Sequence, residues 1–173
     1  MTRAMKYRDI VREIALDNYG YVTTKDAAEA GVPPLELPKL TARGGLVNVA
    51  YGLYRVADVP ATAFDQFAEA LLRVGDGAYL YGESVLALFR LADVNPRTIK
   101  VAVNRRARPN LPPYIELVQV KADERTTSYE GLTAQPVVEA ILASRGRIET
   151  GRLREAALQA RAEGLLTMAE WRR

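Results

Sequence analysis

The chain has 173 residues, of which 49% are hydrophobic and 26% are charged, proportions that are typical of a globular protein and not of a disordered one. It contains no cysteine and no histidine, which excludes disulfides, thiolate chemistry and the usual zinc sites and removes the commonest general base. The formal net charge of +3 permits nucleic-acid binding without requiring it. Such binding depends on whether the basic residues cluster on one surface.

The N-terminal segment "MTRAMKYRDIVREIAL" carries charges throughout and has no long apolar run. We therefore expect no signal peptide and no membrane span. The expected location is the cytoplasm. Apolar residues at helical spacing, among them Val11 and Ile14, predict an amphipathic helix over residues 4–18. Gly20 is expected to close this helix as its C-terminal cap.

The next stretch predicts two short helices joined by a turn. Thr23 and Asp26 form a capping-box pattern at the start of the first, which Gly31 ends. Three prolines, Pro33, Pro34 and Pro38, lie where the second helix must form. If Leu35 caps this helix, Pro38 falls at its third position, where no intrahelical N–H bond is lost. The pattern therefore predicts a recognition helix of about two turns, over residues 36–43.

The segment "GGLVNVAYGLYRV" predicts a β-hairpin with strands over 46–49 and 53–56 and a turn at 50–52. Helix, short helix, turn, helix and hairpin is the element order of a winged helix-turn-helix. We assign residues 1–59 to such a domain and place the domain boundary at Pro60.

Residues 60–173 are predicted to form a second, α+β domain. Its helices are expected after Thr62, from about Glu83, after Thr133 and after Thr150. Ile99–Val103 alternates apolar residues with Lys100 and Ala102, which predicts a half-buried strand, with residues 114–120 as its partner. The fold class predicted for the whole chain is α+β: an N-terminal winged helix-turn-helix followed by a smaller-sheet α+β C-terminal domain.

The order of these motifs resembles that of the AbiEi-type antitoxins. "GYVTTKDAAEAGVP" with "GGLVNVAYGLYRV" is similar to their N-terminal winged-helix domain, and "YLYGESVLALFRLADVNPRTIKVAV" is similar to the first half of their C-terminal domain. The tail "AALQARAEGLLT" is similar to their closing helix. Where family members commonly carry an arginine before a helix, this chain reads "GLTAQPVVEAIL", so no role of that arginine carries over.

The resemblance implies the antitoxin of a bacterial type IV toxin–antitoxin system. The N-terminal domain of such a protein represses its own operon by binding inverted repeats in the promoter, and the C-terminal domain is needed to neutralise a nucleotidyltransferase-like toxin. The type IV label implies that the two proteins form no stable complex. The expected partners are double-stranded DNA and the toxin, and no membrane. The DNA is expected to be bound either by a dimer or by two separate monomers.

The recognition helix and the hairpin supply the predicted DNA contacts. In a winged helix the second helix of the motif enters the major groove, and the hairpin lies along phosphates or the minor groove. Leu37 and Leu40 are expected to face the core, and Tyr54 to pack beneath the hairpin. The polar residues left for DNA are Lys25, Glu36, Lys39, Arg43, Asn48, Tyr51 and Arg55.

Several of these assignments leave an alternative open. Glu36 either accepts a hydrogen bond from cytosine or only favours the helix N-terminus through its charge. Lys25 either contacts a backbone phosphate or is solvated surface. The second domain contributes further arginines that either extend the phosphate footprint or are scattered surface charges, namely Arg105, Arg106, Arg108, Arg147 and Arg152. The basic excess is divided between the two predicted domains.

The sequence favours a binding protein over an enzyme. It has no glycine-rich phosphate loop, and we expect no cofactor and no metal. No spacing singles out a magnesium-binding pair among the acidic candidates Glu83, Asp93, Glu116, Asp123 and Glu124. The alternative to the antitoxin is a protein-interaction module, or another winged-helix transcriptional regulator whose second domain binds a partner directly.

Overall fold

The computed structural model describes residues 6–121 and 124–173, and its helices and two sheets confirm the predicted α+β class. By its contacts the chain divides into two compact units, the first ending at Arg73 and the second starting at Val74. The elements of the first unit are α1 (Tyr7–Asp17), β1 (Tyr21–Thr23), α2 (Thr24–Glu29), α3 (Glu36–Ala42), β2 (Leu46–Ala50), β3 (Leu53–Val56) and α4 (Asp65–Val74).

The first unit has the element order predicted for a winged helix. Thr23 caps α2 in the predicted capping box, with Asp26 as its reciprocal partner. The hairpin β2–β3 forms as predicted, and β1 adds an antiparallel strand on β3 that sequence reasoning missed. In the described part of this unit the strands thus form a three-stranded sheet in the order β1-β3-β2.

An apolar cluster holds the three N-terminal helices on this sheet. Its buried side chains come from α1, α2, α3 and both hairpin strands, and Tyr54 packs against them as predicted. Since each of these elements buries only a few residues, none can hold its position without the others. The cluster contains Val11, Ala15, Val22, Ala27, Val32, Leu37, Leu40, Leu46, Val56 and Val59.

The first unit extends beyond the predicted boundary at residues 59–60. Helix α4 was assigned by sequence to the second domain, but its polar side chains bond to the first sheet. Asp65 pairs with Arg55 at 3.0 Å, and Glu69 accepts a hydrogen bond from the Tyr21 hydroxyl at 3.0 Å. Both contacts cross the predicted boundary, so Pro60 lies inside the first unit and not at its end.

The second unit is built on a mixed sheet. Its elements are β4 (Tyr79–Leu80), α5 (Glu83–Leu88), a 3₁₀ turn (Leu91–Asp93), β5 (Ile99–Val103), β6 (Ile115–Gln119), β7 (Thr127–Tyr129), β8 (Leu132–Ala134), α6 (Val137–Ala143), α7 (Thr150–Ala162) and α8 (Met168–Trp171). Among the described residues the sheet has five strands in the order β6-β5-β4-β8-β7. The expectation of a smaller sheet in this domain is therefore wrong.

Two further predictions for this unit need correction. Strand β5 is buried along its whole length, on both faces, because it lies inside the sheet between β4 and β6. It pairs with the predicted partner β6 in parallel, so residues 104–114 between them form a crossover connection. The helix expected after Thr133 starts at Val137, since residues 132–134 belong to β8.

Candidate nucleic-acid interface

Helix α3 has the two faces that a recognition helix needs. Leu37 and Leu40 are buried in the core of the first unit, 1% and 8% exposed. Lys39 and Arg43 are exposed, and Arg43 ends the helix as its C-cap residue. The segregation follows from helical spacing, because residues 37 and 40 lie on one side and residues 39 and 43 on the other.

The prolines shape the start of α3 without breaking it. Leu35 is the N-cap, so Pro38 is the third helical residue, as predicted. The amide of Glu36 donates to the carbonyl of Pro33 at 2.9 Å, which closes the preceding turn. Since the third residue of a helix has no intrahelical N–H partner, Pro38 removes no hydrogen bond.

The charged side chains of α3 differ in how far they are already engaged. Lys39 Nζ lies 2.8 Å from Glu36 Oε1, although the lysine side chain is still 56% exposed. An exposed pair of this kind contributes little stability, so Lys39 can exchange Glu36 for a phosphate at small cost. The side chain of Arg43 makes no hydrogen bond or ion pair with another described residue, so its five donors are available.

The hairpin carries a fully exposed aromatic residue at its tip. Tyr51 is as exposed as it would be in an extended peptide, and Gly52 next to it adopts a φ of +65° that favours glycine. The carbonyl of Gly52 accepts a hydrogen bond from the Thr24 amide at 2.9 Å, which ties the tip to the start of α2. Tyr51 is therefore a fully exposed side chain on an anchored turn.

Asn48 stabilises the hairpin itself. Its Nδ2 donates to the carbonyls of Ala50, at 3.0 Å, and Leu53, at 3.4 Å, across an irregularity in the β2–β3 pairing. The donor half of the amide is thus in use, and the oxygen is what remains for a ligand. Lys25, the second residue of α2, is exposed in the first unit.

Arg55 is predicted from the sequence to contact DNA, but its guanidinium is occupied within the first unit. Nη1 donates to the carbonyl of Val56 at 3.3 Å, and Nη2 donates to the carbonyl of Val59 at 3.1 Å and to Asp65 at 3.0 Å. The side chain is only 22% exposed. Arg55 therefore links β3 to α4, so the sequence prediction that it contacts DNA directly is not supported by its surroundings.

Sequence reasoning missed a second link between α4 and the hairpin. Arg73 donates to Glu69 at 2.8 Å and to the carbonyl of Val49 on β2 at 3.0 Å. Glu69 also accepts from Tyr21, and burial together with this hydrogen bond raises the pKa of the tyrosine hydroxyl well above its usual range. The spacing of Glu69 and Arg73, four residues apart on a helix, is the signal that the sequence offered.

The predicted arginines of the second unit have three different surroundings. Arg105 donates to the carbonyls of Asp76 and Val74, at 3.2 and 3.0 Å, and so closes the turn after α4. Arg147 lies 3.8 Å from Glu116. The others, Arg106, Arg108 and Arg152, are exposed.

Among residues 6–121 and 124–173, no three acidic, histidine or cysteine side chains converge as a metal site requires. Glu83 is paired with Lys100 instead, and Asp123 lies outside the described residues. No helix in the described ranges is both long and apolar enough to cross a bilayer.

Comparison with known proteins bears on the first unit. Residues 9–57 match the family of transcriptional regulators described as AbiEi antitoxins, which confirms the predicted resemblance over this segment. The description is that of a regulatory family and not a catalytic one. No curated protein matches the chain.

Among solved structures, the chain is similar to the RV2827C protein from Mycobacterium tuberculosis, at 21% identity and a TM-score of 0.41. The similarity covers 70% of this chain and 47% of that one. The chain thus spans about half the length of that protein.

Proposed function

We propose that the first unit binds double-stranded DNA, with α3 in the major groove and the hairpin along the phosphate backbone. The observation that carries this proposal is the division of α3 into a leucine face in the core and an exposed face with Lys39 and Arg43. The match of residues 9–57 to a family of transcriptional regulators supports it. The proposed contacts are Lys25, Lys39, Arg43 and Tyr51, with Glu36 and the Asn48 oxygen as secondary ones.

The short helix sets the expected balance of contacts. Seven residues give two turns, so few side chains can reach base edges, and we expect phosphate contacts to supply much of the affinity. Each neutralised phosphate makes the fall of log affinity with log salt concentration steeper by about 0.9. Binding is therefore expected to weaken steeply between low and physiological salt.

Fluorescence anisotropy with the protein's own promoter and with a scrambled duplex tests this proposal. Replacing Arg43 by Ala should weaken promoter binding by about tenfold, as the loss of one base or phosphate contact does. Replacing Lys39 by Ala should lower the salt slope by about one. Arg12→Ala, which removes an exposed arginine of α1 paired with Asp58, is the matched control and should change little. Equal affinity for promoter and scrambled DNA at physiological salt would contradict specific binding.

We further propose that the protein is the antitoxin of a type IV toxin–antitoxin system, acting in the cytoplasm. It represses its own operon through promoter inverted repeats and neutralises a nucleotidyltransferase-like toxin, without a stable complex and without catalysis of its own. The family match and the resemblance of "YLYGESVLALFRLADVNPRTIKVAV" to the family's C-terminal domain support this. Co-expression with the neighbouring toxin gene should restore growth, and failure to do so would overturn the assignment.

A protein-interaction module is the second candidate, and exposed apolar side chains of the first unit favour it. Leu35 is 73% exposed before α3, and Val47 is 56% exposed on β2. Charge reversal of Lys39 and Arg43 separates the two candidates. If DNA binding is lost while toxin neutralisation survives, the DNA-binding assignment holds. If neutralisation is lost and the wild type binds no DNA, the module is the better description.

A further inference from the structure

We propose that a polar cleft in the second unit binds a small phosphorylated molecule. The cleft has a volume of about 430 Å³ and is lined by the turn before β5, by β5 and β6, and by the residues around the start of α7. This volume falls within the range of roughly 300–1,000 Å³ that small-molecule sites occupy. Its basic lining residues are Arg97, Lys100, Arg147 and Arg152.

A buried ammonium group lies among these lining residues. Lys100 Nζ is 2.6 and 2.7 Å from the two carboxylate oxygens of Glu83, and the two side chains are only 5% and 11% exposed. An ammonium group has three protons, and Glu83 takes two of them. The described residues provide no partner for the third proton.

The arginines of the cleft have hydrogen-bond donors that are not in use. Arg97 and Arg152 are exposed, and the described residues provide neither side chain with a hydrogen bond or an ion pair. Arg147 reaches Glu116 only at 3.8 Å, with both side chains at least 40% exposed. Glu116 also accepts a hydrogen bond from the Thr98 hydroxyl at 3.2 Å. A guanidinium group can donate two parallel hydrogen bonds to two oxygens of one phosphate group.

The remaining lining residues favour an organic phosphate over a bare ion. Two of the three acidic lining residues are matched within the cleft, Glu83 by Lys100 and Glu116 by Arg147. Only Glu149 opposes the two unpaired arginines, which leaves a positive excess. Val94, Pro96 and Ile148 add apolar surface. A ligand that combines phosphate with a flat or apolar group, as a nucleotide does, uses both parts of the lining.

Isothermal titration of the full-length protein tests this proposal, with inorganic pyrophosphate and each of the four ribonucleoside triphosphates as separate probes. The test variant is the double substitution Arg97→Ala and Arg152→Ala. The control is Arg106→Ala and Arg108→Ala, which removes the same charge from exposed positions outside the cleft lining. We expect at least one nucleotide to bind the wild type and the control alike, and the test variant about tenfold or more weaker, a change of roughly 1.4 kcal/mol.

Three results would overturn the proposal. One is the absence of binding by every probe at millimolar concentration to a folded wild-type protein. The second is an equal loss in the test and control variants, which would mean attraction to net charge and not to the cleft. The third is a loss of promoter DNA affinity in the test variant with no nucleotide bound by the wild type, which would assign the arginines to DNA. The titration does not depend on α3, so the DNA-binding proposal can fail while this one holds.

Discussion

Arginine and lysine side chains in this protein take different roles according to what surrounds them. Arg43 and Arg55 are both predicted from the sequence to contact DNA. Arg43 is exposed at the end of α3, whereas Arg55 donates hydrogen bonds to two carbonyls and a carboxylate. Lys100 lies on a strand that alternation predicts to be half-exposed, yet it is buried and paired with Glu83. The difference lies in the partner, because a charge can be buried only where an opposite charge and hydrogen bonds meet it.

Replacing Lys100 by Met should therefore destabilise the second unit. The change leaves the Glu83 carboxylate buried without its cation, which typically costs about 3–5 kcal/mol of unfolding free energy. Adding Glu83→Gln in the same chain removes the stranded charge and should restore most of the loss. Urea unfolding of the single and double variants measures both effects, and a single variant as stable as wild type would show that the pair is dispensable.

At the scale of elements, α3 is short because its boundaries are fixed locally. Pro33 and Pro34 keep the chain out of a helix before Leu35, and Gly44 at a φ of +77° ends it. What remains has two turns, with two leucines for the core and a basic face outside. A helix this short is marginal alone, so its stability must come from packing on β2 and the core.

Replacing Pro38 by Ala should leave α3 nearly unchanged. Proline at the third helical position blocks no hydrogen bond. Replacing it gives the unfolded chain more conformational freedom, which should lower the free energy of unfolding by at most about 1 kcal/mol. Leu37→Ala, one residue earlier, removes a fully buried side chain and should cost about 2–5 kcal/mol. Thermal unfolding of the two variants compares them directly. If Pro38→Ala is the more damaging change, the proline has a role beyond closing the first turn.

At the scale of the whole molecule, the extent of the first unit matters most. Helix α4 belongs to it through Asp65, Glu69 and Arg73, each of which bonds to a residue of the sheet. The bond from Arg73 to Val49 also fixes the strand that leads to Tyr51. A DNA-binding fragment designed from the predicted boundary would lack these supports.

A fragment ending at Val74 should therefore be more stable than one ending at Val59. The shorter fragment loses the buried side chain of Phe67 and the partners of Arg55 and Tyr21, a difference we expect to be about 3 kcal/mol or more. Urea unfolding followed by circular dichroism measures it. Equal midpoints for the two fragments would mean that α4 is only an appended linker helix.

Much of the first unit could be predicted because its signals are local. The capping box at Thr23, the start of α3 after Leu35 and the hairpin around Gly52 each involve residues a few positions apart. The missed strands β1 and β7 are only three residues long and carry no clear alternation, so they depend on the neighbours they pair with.

The sequence by itself determined the α+β class, the element order of the first unit, the two faces of α3 and the family resemblance of residues 9–57. Only the tertiary structure decided that Arg55 is a support, that Lys100 is buried, that α4 belongs to the first unit and that arginines from separate segments line one cleft. The reason is physical: caps, turns and periodicity act over a few neighbouring residues, whereas ion pairs and clefts join residues that are distant in the chain.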